Sequence, residues 1–146
     1  MIGKMPRYSV AQSEFPFRAL AALAGRAPIG GVRETVVATL ICARLAMGAV
    51  DQSAMPAKSR EVRANGARNW LLSLALPQSS RSAYLKVIDA SGTDDIEFLG
   101  RSLAQVIELA DPHLDHASRL ELGRLVHRIS VVQSGDTLER EAGRTR

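Results

Sequence analysis

The chain has 146 residues, 46% hydrophobic and 23% charged. That is one domain of ordinary globular composition, able to bury roughly 70% of the surface its unfolded chain exposes without disulfides or a structural metal. A single cysteine, Cys42, excludes a disulfide framework and any multi-cysteine metal centre, while 19 basic against 15 acidic residues leave a net charge of +4.

Residues 1–16, with Pro6 and Pro16, read as a poorly ordered leader. Lys4 and Arg7 would suit the start of a signal peptide. Glu14, Arg18 and Arg26 interrupt its apolar segment, however, so a cytoplasmic location is expected. Phe17–Gly25 (FRALAALAG) predicts a short helix ended by Gly25, with Pro28 and the Gly30-Gly31 pair as the connection. Val32–Val50 follows, apolar nearly all round, as befits a helix at the centre of a bundle. Ala38, Cys42, Ala46 and Ala49 form a stripe of small side chains that would let a neighbouring backbone come close. Arg44 must reach solvent or a carboxylate, because an unpaired buried charge is costly. It also splits a stretch that falls short of the about 20 apolar residues a membrane span needs.

Pro56 suits the first turn of a third helix running to about Leu76, before Pro77. Its first half is cationic; its second half, WLLSLAL, predicts burial of Trp70, Leu71, Leu72, Leu74 and Leu76. Ser79 or Ser80 would cap a fourth helix, Arg81–Ala90, with Tyr84, Val87 and Ile88 on one face and Gly92 at its end. Thr93 reads as the next N-cap, with Asp94, Asp95 and Glu97 in the first turn, where the helix dipole favours negative charge. Ile96, Leu99, Leu103, Val106 and Ala110 then recur at spacings of 3, 4, 3 and 4. A last helix from about Pro112 to Val131 buries Leu114, Leu122, Leu125, Val126 and Ile129. Residues 133–146 lack apolar periodicity and read as a disordered tail. No alternating β-branched segment occurs. The expected fold is all-α: a compact bundle of five to six helices without a sheet, built as one domain over 17–132.

Two short runs carry resemblances. Asp111-Pro112-His113-Leu114-Asp115-His116 groups carboxylates and imidazoles of the kind that bind zinc or manganese. It resembles the HxHxDH motif of metallo-β-lactamase-fold hydrolases, with Asp111 where the first His stands. The resemblance implies a metal-dependent hydrolase, with His113, Asp115 and His116 as weak candidate ligands. That family's fold is a β-rich sandwich, and no strands are foreseen here. His127 follows His116 by 11 residues, which puts it about 16 Å along a helix at 1.5 Å per residue. A helix start, with Asp111 as cap, Pro112 in the first turn and Asp115 near the positive end, accounts for the same residues without a metal. Val132-Gln133-Ser134-Gly135-Asp136-Thr137-Leu138 resembles the opening of the LysM module, which binds peptidoglycan and chitin. That resemblance implies a strand and turn, and glycan binding. It covers seven residues, and Glu141 stands where the family has an apolar one.

Cys42 lies in the apolar helix, apart from His113, His116 and His127 in the last one, and no nucleophile elbow, P-loop or dinucleotide fingerprint occurs. Neither enzyme activity nor a cofactor is expected. The surplus positive charge sits in the first half: residues 1–68 carry +6 and the remainder −2. Lys58, Arg60, Arg63 and Arg68 are the candidate residues for docking an anionic partner. Asn65 and Asn69 add the side chains that read bases. The flanking Pro and Gly connections do not fit a tight helix-turn-helix, though, and six aromatics are few for stacking single strands. The expected function is that of a non-enzymatic helical protein acting through protein–protein contacts, as an adaptor, regulator or assembly subunit. A nucleic-acid-binding regulator using the basic helix is the alternative, and a metal-dependent hydrolase a remote one. The expected partner is a protein, with no membrane contact and with self-association left open.

Overall fold

A computed structural model describes residues 17–51, 57–93 and 95–145; the expected leader, 1–16, lies outside them. Among the described residues there are six α-helices and no strand: α1 (Arg18–Arg26), α2 (Val32–Val50), α3 (Ala57–Leu72), α4 (Gln78–Ser91), α5 (Ile96–Ala110) and α6 (His116–Thr145), with a 3-10 turn at Asp111–His113. They pack as an all-α bundle around α2, which touches every other helix.

The small-residue stripe explains that centrality. Ala38, Cys42, Ala46 and Ala49 are all buried, and α4 comes close enough for the Cys42 thiol to lie 3.7 Å from the Tyr84 carbonyl. The Tyr84 ring is fully buried, with its hydroxyl 2.9 Å from Thr39 Oγ1, which donates in turn to the Thr35 carbonyl. Arg44 stays half-buried on the side of α2 that the other helices leave partly open, and its Nε has no hydrogen-bond partner.

The start of α2 is set by backbone geometry. Gly30 and Gly31 have φ of 108° and 113°, a region that side-chain-bearing residues rarely adopt. The Gly31 N–H donates to Glu34 Oε1 at 2.6 Å, half of a capping box whose other half glycine cannot supply. This bond holds the Glu34 carboxyl below the usual carboxylate range. Arg33 then donates from Nε to the Ala27 carbonyl and from Nη2 to the Gly25 carbonyl, serving the open C-terminal end of α1. That helix ends at Arg26, and Gly25 stays inside it.

The first turn of α1 has an unexpected partner. Glu121, only 6% exposed, reaches from α6 to accept the Ala19 and Leu20 N–H groups at 2.7 and 2.9 Å. A carboxylate placed there satisfies two donors that have no intrahelical acceptor and sits at the positive end of the helix dipole.

Several expected boundaries move. The WLLSLAL segment leaves the helix at Leu72, where the Ser73 hydroxyl bonds the Trp70 carbonyl and Arg81 collects the Leu74 and Leu76 carbonyls, both at 3.2 Å. Leu71 and Leu76 are buried and Leu74 partly so, but Trp70 is 41% and Leu72 49% exposed. The expected burial of the whole run therefore fails, because α3 meets the bundle along a narrow strip. α4 begins directly after Pro77, with no serine cap. Asp95, not Thr93, caps α5 by accepting the Phe98 N–H at 3.0 Å. Asp111 lies in the 3-10 turn; Asp115 caps α6 through the Ser118 N–H at 2.8 Å. Val126 is exposed, whereas Leu114, Leu122, Leu125 and Ile129 are buried as expected. A Cβ on Gly100 would lie 3.3 Å from Ile129 Cγ2, so α5 and α6 approach closely there. Beyond Gln133, where a disordered tail is expected, α6 continues to Thr145.

Two stability outcomes follow from this packing. In urea denaturation, Leu71→Ala should cost about 2–5 kcal/mol as a core truncation, while Trp70→Ala should cost less than about 1 kcal/mol. Glu121→Ala, which strands two helix N–H groups, should cost about 2–4 kcal/mol, and Glu121→Gln distinctly less, since one amide oxygen still accepts.

Candidate functional site

The four basic candidates lie on α3, and the structure does not gather them. Lys58 and Arg63 are both exposed, but five helical residues turn them about 140° apart. Arg68 is half-buried and committed elsewhere, to Asp89 on α4 and to Asn65 at 2.9 Å. Arg60 lies on the helix, with its side chain outside the described residues.

What α3 presents instead is a mixed face. Among its described side chains only Ala64 and Leu71 are buried, and Val62 is 63% exposed. Val62, Gly66 and Trp70 stand four residues apart, so they line one side of the helix. Nothing lies within 4 Å of a Cβ built on Gly66, which makes that position an open notch between the two apolar side chains. Arg63 precedes Trp70 by seven residues and flanks the same side. Charge pattern signalled this helix in the sequence, but the fold also leaves apolar side chains of it uncovered, Val62, Trp70 and Leu72.

The Asp/His run is occupied in a different way. Asp111 Oδ1 accepts Arg119 Nε at 2.9 Å, and Asp115 Oδ2 pairs with Arg26 Nη2 at 2.7 Å. His113 and His116 are exposed. Among the described residues no three His, Cys, Asp or Glu side chains are grouped to hold a metal ion. Hydrogen bonds from Ser118, with Arg26 adding its charge, hold the Asp115 carboxyl below its ordinary value. The run joins α1 to α6: Arg26 and Asp115 tie one end of each together, as Glu121 ties the first turn of α1 to α6.

Cys42 is fully buried, and burial pushes its thiol well up, away from the thiolate form that attacks substrates or binds metals. The same cause pushes the Tyr84 phenol up to about 12. Val132–Leu138, which resembles a LysM opening, is helical throughout as part of α6, so the strand implied by the resemblance is not formed. No helix among the described residues is long and apolar enough to cross a membrane.

One concave feature escapes the sequence reading. An open groove of about 390 Å³ runs between α4 and α5, lined by Lys86, Phe98, Arg101, Ser102, Ala104, Gln105 and Glu108. Its partial signal is a second stripe on α5, in which Phe98, Ser102, Gln105 and Leu109 recur at spacings of 4, 3 and 4 beside the buried one.

The Asp115 cap generates a pH dependence. A carboxyl held below its unfolded value stabilises the fold above that value, near 3.9, and the contribution disappears as pH falls through the folded one. Asp115→Ala should thus cost about 1 kcal/mol at neutral pH. The gap to the parent protein should close below about pH 4 as the parent's own carboxyl protonates; melting curves from pH 7 to pH 2.5 check it.

Compared with family models, curated proteins and solved structures, the chain finds no match.

Proposed function

We propose that this is a non-enzymatic docking protein that binds an acidic protein partner through the outer face of α3. The observation supporting the reading is the exposure of Val62, Trp70 and Leu72 on a helix that anchors itself with little more than Ala64 and Leu71. Leaving 41% of a tryptophan exposed forgoes burial of apolar surface that would otherwise stabilise the fold. Tryptophan and arginine are also the side chains that most often dominate protein–protein binding energy. Lys58 and Arg63 supply positive charge around the apolar residues, which favours an acidic surface and speeds encounter with it.

Trp70 is the chain's sole tryptophan, so its fluorescence reports on this face directly. In the free protein at low salt, iodide should quench Trp70 more strongly than caesium, because the nearby cations attract anions. Equal quenching by both ions would remove the charge argument. A photo-crosslinking amino acid at position 70 should capture an acidic protein in the source cell. Capture should be lost in Lys58→Glu/Arg63→Glu, with the helical circular dichroism spectrum retained. The purified partner should then shift Trp70 emission to the blue. Capture that survives charge reversal overturns the proposal. So does cross-linking to nucleic acid with an affinity that falls log-linearly with salt, and that outcome establishes the rival reading.

A further inference from the structure

Of the features that folding leaves unused, the groove between α4 and α5 is the one in which a buried polar group meets open space. Ser102 is only 3% exposed, yet it lines the groove, and its hydroxyl has no hydrogen bond with the described residues. A helical serine ordinarily returns its hydroxyl to the carbonyl four residues back; Ser102 does not. Lys86 on α4 and Arg101 on α5 line the same groove, and Arg101 is held only by an exposed contact of 3.7 Å with Glu97. Gln105 adds an amide, and the half-buried Phe98 an aromatic wall. Donors thus dominate: a hydroxyl, an ammonium, a guanidinium and an amide surround an apolar ring, and the sole carboxylate, Glu108, lies about 10 Å along α5 from Arg101. The volume falls within the range of small-molecule sites.

We infer that the groove between α4 and α5 is a binding site for a carboxylate carried on an apolar body, with Ser102, Lys86 and Arg101 on the carboxylate and Phe98 against the body. Such a group is supplied either by a small aryl-alkyl acid or by the C-terminal residue of a peptide. The site uses none of the residues of the α3 face, so it stands or falls independently of that face.

The test is amide chemical-shift perturbation in the full chain. The probe 3-phenylpropionate should shift residues 98–108 with a dissociation constant of about 1 mM, and 3-phenylpropanamide, which lacks the charge, should not. Acetyl-Gly-Gly-Phe with a free C-terminus, run beside its C-terminal amide, distinguishes the sources: tighter binding of the free-acid peptide assigns the site to peptide termini, and tighter binding of the small acid assigns it to free acids. Lys86→Gln should weaken the better ligand about tenfold, as expected for loss of one charge-assisted hydrogen bond. Ser102→Ala should weaken it measurably while leaving the remaining spectrum in place. Absence of shifts with both acids overturns the inference. Equal binding of acid and amide overturns it too, as does unaltered affinity in both variants.

Discussion

The bundle depends on how closely α4 can approach α2. Side chains of one or two heavy atoms at Ala38, Cys42, Ala46 and Ala49 leave a shallow trough, and the backbone of α4 enters it far enough to put a carbonyl beside the Cys42 sulfur. Interiors packed to crystal-like density do not absorb extra volume, so a larger side chain anywhere on this stripe would push α4 outward. Both α3 and α5 lean on α4, and the displacement would reach them. The same approach takes the Tyr84 hydroxyl into the interior, where Thr39 satisfies it.

The remaining frame is held by polar contacts at helix ends. Glu121 brings a negative charge into the interior, a costly act that two N–H bonds and the α1 dipole offset. Arg33, Arg81, Asp95 and Asp115 each serve an open helix end or the loop beside it. Many of the chain's cations therefore bond carbonyls or carboxylates of its own fold. That is a structural use of arginine, whose planar, multiply donating group suits such positions better than lysine does.

Against that background the unused surface stands out. α3 is anchored by few side chains and exposes apolar ones, and the groove beyond α4 is lined by two cations against one carboxylate. Both features cost stability or contribute little to it, and both have the composition of recognition surfaces: an aromatic side chain with arginine nearby in one case, donors around an aromatic wall in the other. With α4 packed against both α3 and α5, the two features lie on helices that share a common neighbour.

Local chemistry was legible in the sequence where it needs only a few adjacent residues. The 3, 4, 3, 4 spacing of Ile96 to Ala110 yields α5, the Gly30-Gly31 pair yields the turn before α2, and the all-round apolarity of Val32–Val50 puts that helix at the centre. What those signals lack is knowledge of distant partners. Trp70 and Leu71 are neighbours of similar hydrophobicity, and nothing local says that Leu71 is buried and Trp70 left partly exposed. Arg68 reads as one more cation until Asp89, 21 residues on, takes it up, and Glu121 reads as one more surface acid until α1, about a hundred residues earlier, supplies two N–H donors. Periodicity assigned the helices because backbone hydrogen bonds and side-chain spacing are local. Which faces stay open, and which charges are already spent, was decided by the tertiary structure, because only packing brings residues far apart in the chain within hydrogen-bonding distance.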